Sequence, residues 1–410
     1  MKSLTLPLLV CLLIPVQTFA QVKTKFPAFK TEQLESSLNV GYAVRLVDVD
    51  HDGKRDIVVV DTTRVVWYQN PTWKKRIIIE GQTKPDNVCI APYDIDGDGK
   101  LDFALGAEWR NLNTKGGGTL QWLKRGKTLE EKWSVHPIGS EPTIHRIRFA
   151  DIDGDNKKEL IVVPLLGRGS SRKKNWMDGK PVRVLAFHIP KNPQTDRWPM
   201  DVLNQSLHVT HNFWPVPVDQ GKRSNLLITA YEGVFVLNKT KNGEWETVKI
   251  GTGNQDNPKG RLGASEIKLG KMKNKRDVFV TTIEPWHGNQ VVVYTPPAKP
   301  KNRPVLWNRE VIDDELQWGH AVSCADLDGD GNEEIVIGVR DESKEKGSPT
   351  RGIRIYKRTD KGWVRNIIDN GGIACEDMAV ADMNNDGRPD IVAVGRQTRN
   401  MRIYWNMGMK

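Results

Sequence analysis

An acidic loop set between two apolar runs recurs five times along the chain: DVDHDGKRDIVVV from Asp48, DIDGDGKLDFAL from Asp94, DIDGDNKKELIVV from Asp151, DLDGDGNEEIVIG from Asp326 and DMNNDGRPDIVAV from Asp382. Acids stand at the first, fifth and ninth positions of each loop, with Asp or Asn at the third. Oxygen ligands at alternate positions of a tight turn converge on one point, and such a shell suits the hard cation Ca²⁺. The expected calcium residues are Asp48, Asp50, Asp52 and Asp56; Asp94, Asp96, Asp98 and Asp102; Asp151, Asp153, Asp155 and Glu159; Asp326, Asp328, Asp330 and Glu334; and Asp382, Asn384, Asp386 and Asp390. The flanks, VRLV or IRF before and DIVVV or ELIVV after, read as strands rather than helices.

Two further repeats have lost the acids and keep the flanks, with Pro217 and then Leu269 or Gly270 at the first-aspartate position. In the second of these, Lys271, Lys273 and Lys275 offer positive charge where the other loops offer a cation site. The steps between repeats run from 46 to 66 residues. Each contains four strand-like runs, the third being RVVWYQN, TLQWLK, RVLAFHI, GVFVLN, QVVVYT, GIRIYK and MRIYWN, while the fourth typically begins near a tryptophan such as Trp73, Trp133, Trp245, Trp307 or Trp363. Four strands repeated at this period imply an all-β, seven-bladed propeller with almost no helix. The last repeat stops at its third strand, so residues 24–35 are expected to supply the fourth and close the ring.

Residues 1–20 read as a secretory signal: Lys2, a short apolar run, then Thr18-Phe19-Ala20 as a cleavage site. Residues 21–410 are then one exported propeller, periplasmic or extracellular, with no membrane span. The formal net charge of +10 is scattered in WKKR, SRKK, KMKNKR and KPKNR, which suits a solvated surface or an acidic glycan and gives no case for nucleic acid. Cys89, Cys324 and Cys375 lie in or beside apolar strands and read as buried thiols.

Longer pieces, PDNVCIAPYDIDGDGKLDFALGAEW, EPTIHRIRFADIDGD, SLHVTHNFW, IEPWHGNQVVVYTPP and WGHAVSCADLDGDG, narrow the match. The acidic loops resemble FG-GAP or VCBS repeats. The histidine-bearing pieces resemble the propeller of the aldos-2-ulose dehydratase family and its bacterial relatives. That resemblance implies a metal-assisted dehydratase acting on keto sugars such as 1,5-anhydrofructose, without the isomerase attributed to the fungal cupin domains.

With the repeats in one register, the residue six before the first aspartate is Tyr42, Val88, His145, His211, Ala264 (within one residue), His320 and Glu376. Three histidines in seven exceed what 8 in 410 residues supply. First strands line a propeller's channel, so His145, His211, His320 and Glu376 should meet at the mouth opposite the acidic loops. They form a set for Zn²⁺ first, or Mn²⁺, Ni²⁺ or Fe²⁺. The loops after the second strands return to that mouth and carry Glu108, Trp109, Arg168, Glu284, Trp286, His287, Arg340 and Arg396, which suit a sugar ring.

The chemistry these residues suit is β-elimination on a keto sugar or a 3-keto-glycoside, by a carbon-oxygen lyase. His287 is the first candidate for the base, with His208 and Tyr42 as alternatives. Two other classes stay open: a non-catalytic carbohydrate- or protein-binding propeller, and a polysaccharide lyase for uronic acids. Neither the sugar, the leaving group nor the oligomeric state is legible here.

Overall fold

The computed structural model describes residues 24–409, apart from 111, 258–259, 275–276, 299–304 and 342–349. The expected signal segment and Lys275 lie outside the described residues. Twenty-eight strands form seven four-stranded antiparallel sheets, and two short 3-10 turns, Arg172–Lys174 and Asp219–Gly221, are the only helical pieces among the described residues. The architecture is a seven-bladed β-propeller with the blade order the repeats imply. No helix among the described residues is long and apolar enough to cross a membrane.

The apolar runs after the acidic loops are the second strands. Asp56–Val60, Asp102–Ala107, Glu159–Pro164, Glu334–Val339 and Asp390–Gly395 are buried along their whole length. Each is flanked in its own sheet and covered by blades on both faces, so its apolar run is continuous rather than alternating. Fourth strands such as Lys74–Glu80 lie at the rim and expose their charged residues. The core is the set of layers between blades, where Val58, Trp67, Phe103, Leu105 and Trp122 belong to one buried cluster. Each such side chain contributes about 1.5–3 kcal/mol by burial.

Closure follows the expected route. Pro27–Glu35 pairs antiparallel with Met401–Met409, from Pro27 opposite Met409 to Glu35 opposite Met401, and so completes blade 7. The Trp405 indole N–H donates to Glu32 at 2.8 Å across this seam.

At the centre, each first strand touches the first strands of both neighbouring blades, which makes a ring around the channel. Each of these strands runs from its histidine-register residue toward its acidic loop, so the two features lie at opposite mouths. The two repeats without acids close differently. Blade 4 turns tightly after Val218, which pairs with Arg223. In blade 5, Lys271 and Lys273 donate backbone N–H groups to Glu333 and Asn332 of the blade 6 loop. Cys89, Cys324 and Cys375 are free; Cys89 and Cys375 are buried, and burial pushes the Cys89 thiol up to about 12.

Candidate active site

The histidine mouth begins with irregular backbone. In blade 3, Ile144 pairs with Pro164 and Arg146 with Val163, leaving His145 as an extra residue on its strand. His320 between Gly319 and Ala321, and Glu376 between Cys375 and Asp377, stand at the same kind of break. A bulge turns a side chain away from the direction that the pleat would give it. In the three histidine blades the residue two before the histidine is left-handed: Thr143 (φ 58°), Val209 (φ 50°) and Trp318 (φ 52°). For a β-branched residue such as Val209 this costs on the order of 1–3 kcal/mol and persists only where surrounding structure holds it.

Each aimed histidine is tied to the next blade. His145 Nδ1 is 2.8 Å from the carbonyl oxygen of His211, His320 Nδ1 is 2.6 Å from that of Glu376, and His211 Nδ1 lies 2.8 Å from Glu266 Oε1. With the proton on Nδ1, Nε2 keeps its lone pair, the arrangement in which imidazole serves as a metal ligand. His287, on the loop after the second strand of blade 5, brings its Nε2 to 2.7 Å from His211 Nε2. His211, His287 and His320 each offer a nitrogen within 4.8 Å of the others. The His145 ring centroid is 4.5 Å from that of His211, and Glu376 Oε1 lies 3.9 Å from His320 Nε2.

The electrostatics keep these rings neutral. Burial, with repulsion from Arg146 and from one another, holds His145 well below the usual imidazole range, and burial with His211 and His320 does the same for His287. His211 is lowered chiefly by burial, and burial draws His320 down to about 3 despite Glu376. Burial alone would raise the Glu376 carboxyl, but His320, Arg340 and Arg396 outweigh it and hold it down to about 2. Its oxygens lie 2.8 Å from Arg396 Nη1 and 3.5 Å from Arg340 Nη1. Neutral imidazoles beside an ionised carboxylate fit a divalent transition metal.

A cavity of about 490 Å³ opens over this floor. His145, His287, His320, Glu376, Tyr42 and Arg396 line its floor side, and Trp109, Trp176, Trp286, Trp318, Arg261 and Arg340 are among its other lining residues. Trp286 stacks on His287 at 4.7 Å, while the Arg261 guanidinium lies 4.1 Å from the Trp318 ring and 5.3 Å from that of Trp286. Burial pushes the Tyr42 hydroxyl up to about 12, and Arg396 lies 5.3 Å from its ring.

Besides His211, which is fully buried, four residues expected here do not line the cavity. Glu284 is fully buried and accepts hydrogen bonds from Tyr294 and Arg309, each at 2.7 Å. Glu108 is paired with Lys84 (3.4 Å) and Arg110 (3.1 Å), Arg168 with Glu141 (2.6 Å), and His208 with Glu232 (2.7 Å). In each case a local opposite charge draws the side chain away from the opening. Residue type in a loop did not reveal that direction. Sequence reasoning missed Arg261, Trp176, Trp318 and Glu266; Trp318 was readable as the indole two before His320. In blade 5 it is Glu266, not Ala264, that reaches the histidines, from the position just before Ile267, where the regular pairing of this strand begins.

The opposite mouth is locally built. The first aspartate of each acidic loop accepts the N–H five residues on: Gly53 to Asp48, Gly99 to Asp94, Asn156 to Asp151 and Gly331 to Asp326 at 2.9 Å, and Gly387 to Asp382 at 2.7 Å. The ninth residue accepts the N–H of the second, as Asp56 does from Val49 (3.0 Å) and Glu334 from Leu327 (2.8 Å). First, third and ninth carboxylates converge within 4.8 Å in blades 1, 2, 3 and 6, while Asn384 takes the third place in blade 7. The fifth residue instead turns to its own backbone, as Asp52 does to Lys54 N–H at 2.8 Å. Asp50 Oδ1, Asp94 Oδ1 and Asp96 Oδ1 are buried without hydrogen-bond partners, which fits a cation. In blades 2 and 6, however, Lys124 and Lys357 reach in to Asp96 and Asp328.

The family model "Aldos-2-ulose dehydratase, beta-propeller domain" matches residues 117–297, and that of the FG-GAP-like repeat matches 48–105. The aldos-2-ulose dehydratase of Phanerodontia chrysosporium is 26% identical over 260 residues, covering 60% of this chain and 28% of that protein. The chain thus spans under a third of that relative's length. Integrin alpha pat-2 of Caenorhabditis elegans is 28% identical over 138 residues, 32% of this chain and 11% of that one. Among solved structures, a chain of a mitotic checkpoint complex superimposes with a TM-score of 0.56 at 10% identity, covering 98% of both chains. Virginiamycin B lyase from Staphylococcus aureus does so at 0.52 and 10% identity, covering 92% of this chain and 98% of that one. At such identities these two structures speak to the fold alone. The chain is a seven-bladed propeller with FG-GAP-like repeats, and its sequence resembles the β-propeller domain of aldos-2-ulose dehydratase.

Proposed function

We propose that this protein is an exported, metal-dependent carbon-oxygen lyase that performs β-elimination on a keto sugar of the 1,5-anhydrofructose type or on a 3-keto-glycoside. The observation that carries this reading is the cluster of neutral histidines flooring an aromatic- and arginine-lined cavity, together with the likeness to a dehydratase propeller. His211, His287 and His320 would hold the metal, with Glu376 beside them. A Zn²⁺, Mn²⁺, Ni²⁺ or Fe²⁺ bound there would supply Lewis acidity to a ketone and so lower the pKa of the neighbouring C–H. His145 lines the cavity outside that group, its Nδ1 held by the His211 carbonyl, and we assign it the removal of the α proton in place of His287, whose Nε2 lies against that of His211. The C–H electron pair becomes the new C=C bond as the β C–O bond breaks. Tyr42, kept protonated, returns a proton to the departing oxygen, so water or an alcohol leaves. Arg340 and Arg396 hold Glu376 ionised, and Trp286 and Trp318, stacked with His287 and Arg261, wall the space for the sugar. Calcium held by the acidic loops would act as scaffold.

The test is metal analysis of the purified protein together with assay on 2-keto and 3-keto sugars, following the conjugated enone by ultraviolet absorbance. A bound transition metal and enone formation are expected; calcium alone and no product would refute the reading. The integrin similarity favours a second reading, a non-catalytic binding propeller, which requires that negative result.

A further inference from the structure

The middle of the channel, between the two mouths, holds more positive than negative charge. Arg45 on the first strand of blade 1, Arg146 and Arg148 on that of blade 3 and Lys268 on that of blade 5 project into the region where blade 7 supplies Asp377 and blade 5 supplies Glu266. Both carboxylates are already engaged. Asp377 Oδ2 lies 3.1 Å from Arg45 Nη1 and accepts the Val44 N–H at 3.1 Å. Glu266 lies 2.8 Å from His211 and 3.6 Å from Arg146.

Arg148 and Lys268 are left over. Their charged groups share one indole: the Arg148 guanidinium carbon is 4.9 Å and the Lys268 ammonium 3.0 Å from the Trp214 ring centroid. Among the described residues neither has a carboxylate within ion-pairing distance, and Arg148 Nη1 is buried with no hydrogen-bond partner. Two cations on one ring repel each other, and an unpaired buried guanidinium N–H is destabilising. The region is not packed solid, since the Arg45 and Asp377 side chains each keep 21% exposure inside the channel. Burial, with Arg148 and Arg45 adding repulsion, also pushes the Lys268 ammonium well below its usual range.

We propose that the mid-channel is a binding site for a small inorganic anion of halide size, held by Arg148 and Lys268 with Arg45 at its edge. One negative charge there pairs the two unmatched cations, satisfies Arg148 Nη1 and keeps Lys268 protonated. The site is independent of the elimination chemistry, because it uses none of the histidines.

Bromide is the probe. Crystals of the full chain soaked in sodium bromide, with data collected at the bromine edge, should show an anomalous peak within about 3.5 Å of Arg148 Nη1 and Lys268 Nζ. In solution at fixed ionic strength, replacing a bulky organic anion by bromide should raise the melting temperature by about 2 °C or more, and that increment should vanish in Lys268→Met. Bromide peaks confined to the outer surface, with water alone between these two cations, would overturn the proposal even if the variant failed to fold. So would an undiminished bromide increment in a folded Lys268→Met.

Discussion

At one mouth of the channel the clustered residues come from several blades, and each histidine on a first strand depends on a group from the blade after it. At the other, every acidic loop is complete within nine residues. The acidic loops are therefore visible as a motif, since their geometry is a matter of local turn chemistry. The histidine cluster is visible only as a single column of a seven-fold alignment, because its geometry comes from ring closure. A repeat architecture can thus hold a stabilising element in most of its units, here five of seven, and a unique site assembled across units.

The severest way to test the contrast is to open the ring. Blade 7 carries Glu376 at one mouth and Asp382 at the other, so deleting residues 27–35 should damage both together. We expect loss of cooperative unfolding in thermal circular dichroism; a deletion variant with wild-type melting would show that the seam is dispensable.

Next in size are substitutions confined to one mouth. His211→Ala should strip the transition metal and abolish elimination while the protein still melts cooperatively. His145→Ala should keep the metal and slow elimination by roughly 10²–10⁴-fold, the range for a lost general base. Asp151→Asn should do the reverse, lowering the melting temperature in calcium while leaving kcat within about twofold. Loss of metal in His145→Ala would return that histidine to the ligand set.

Titration should separate the mouths by sign. Burial raises Asp56, Asp102 and Glu159 to about 6 and Glu334 to about 8. In metal-free protein these groups bind protons more tightly folded than unfolded, so the stability they contribute is present below pH 4 and is lost as pH rises to about 8. The histidines are depressed, His320 to about 3, so their contribution is present above pH 6.5 and is lost as pH falls toward 3. Calcium, which binds the ionised loops, should remove the alkaline loss and leave the acid loss. Chemical denaturation across pH 4–8 with and without calcium would show this, and an alkaline loss that calcium does not touch would count against the loop sites.

The smallest expected effect lies within the acidic mouth. Lys357 places an ammonium against Asp328 where blade 1 has Gln69 donating to Asp50 at 2.5 Å. Lys357→Gln should raise calcium affinity by up to about fivefold, the worth of one such ion pair, as read by calorimetry. An unchanged affinity would mean that the lysine does not compete for the loop.

The blade count, the strand order and the closing strand were legible because each strand's apolar run, and the acids of five of the seven hairpins, are local facts. His145, His211, His320 and Glu376 could be placed at one mouth because a first strand has only two ends. Side-chain direction in the longer loops was not legible. Glu284 and Arg168 have the chemistry of sugar-binding residues, yet Arg309 and Glu141 draw them elsewhere, and those partners lie 25 and 27 residues away in the sequence. Glu266 escaped because its blade has lost the acids from which the register of the other first strands is counted.

The seam that closes the ring also orders events in time. Glu32 and Trp405, which meet across it, are 373 residues apart in the chain. At ribosomal speeds of about 5–20 residues per second, Pro27–Glu35 is made on the order of twenty seconds to a minute before its partner exists. Throughout that interval it is a strand without a ladder, able to pair with any other edge. Its composition answers this hazard: Lys30, Glu32 and Glu35 put charge along PAFKTEQLE, and Pro27 blunts one end. The same residues that finish the last blade must keep the newborn chain from joining a neighbour's.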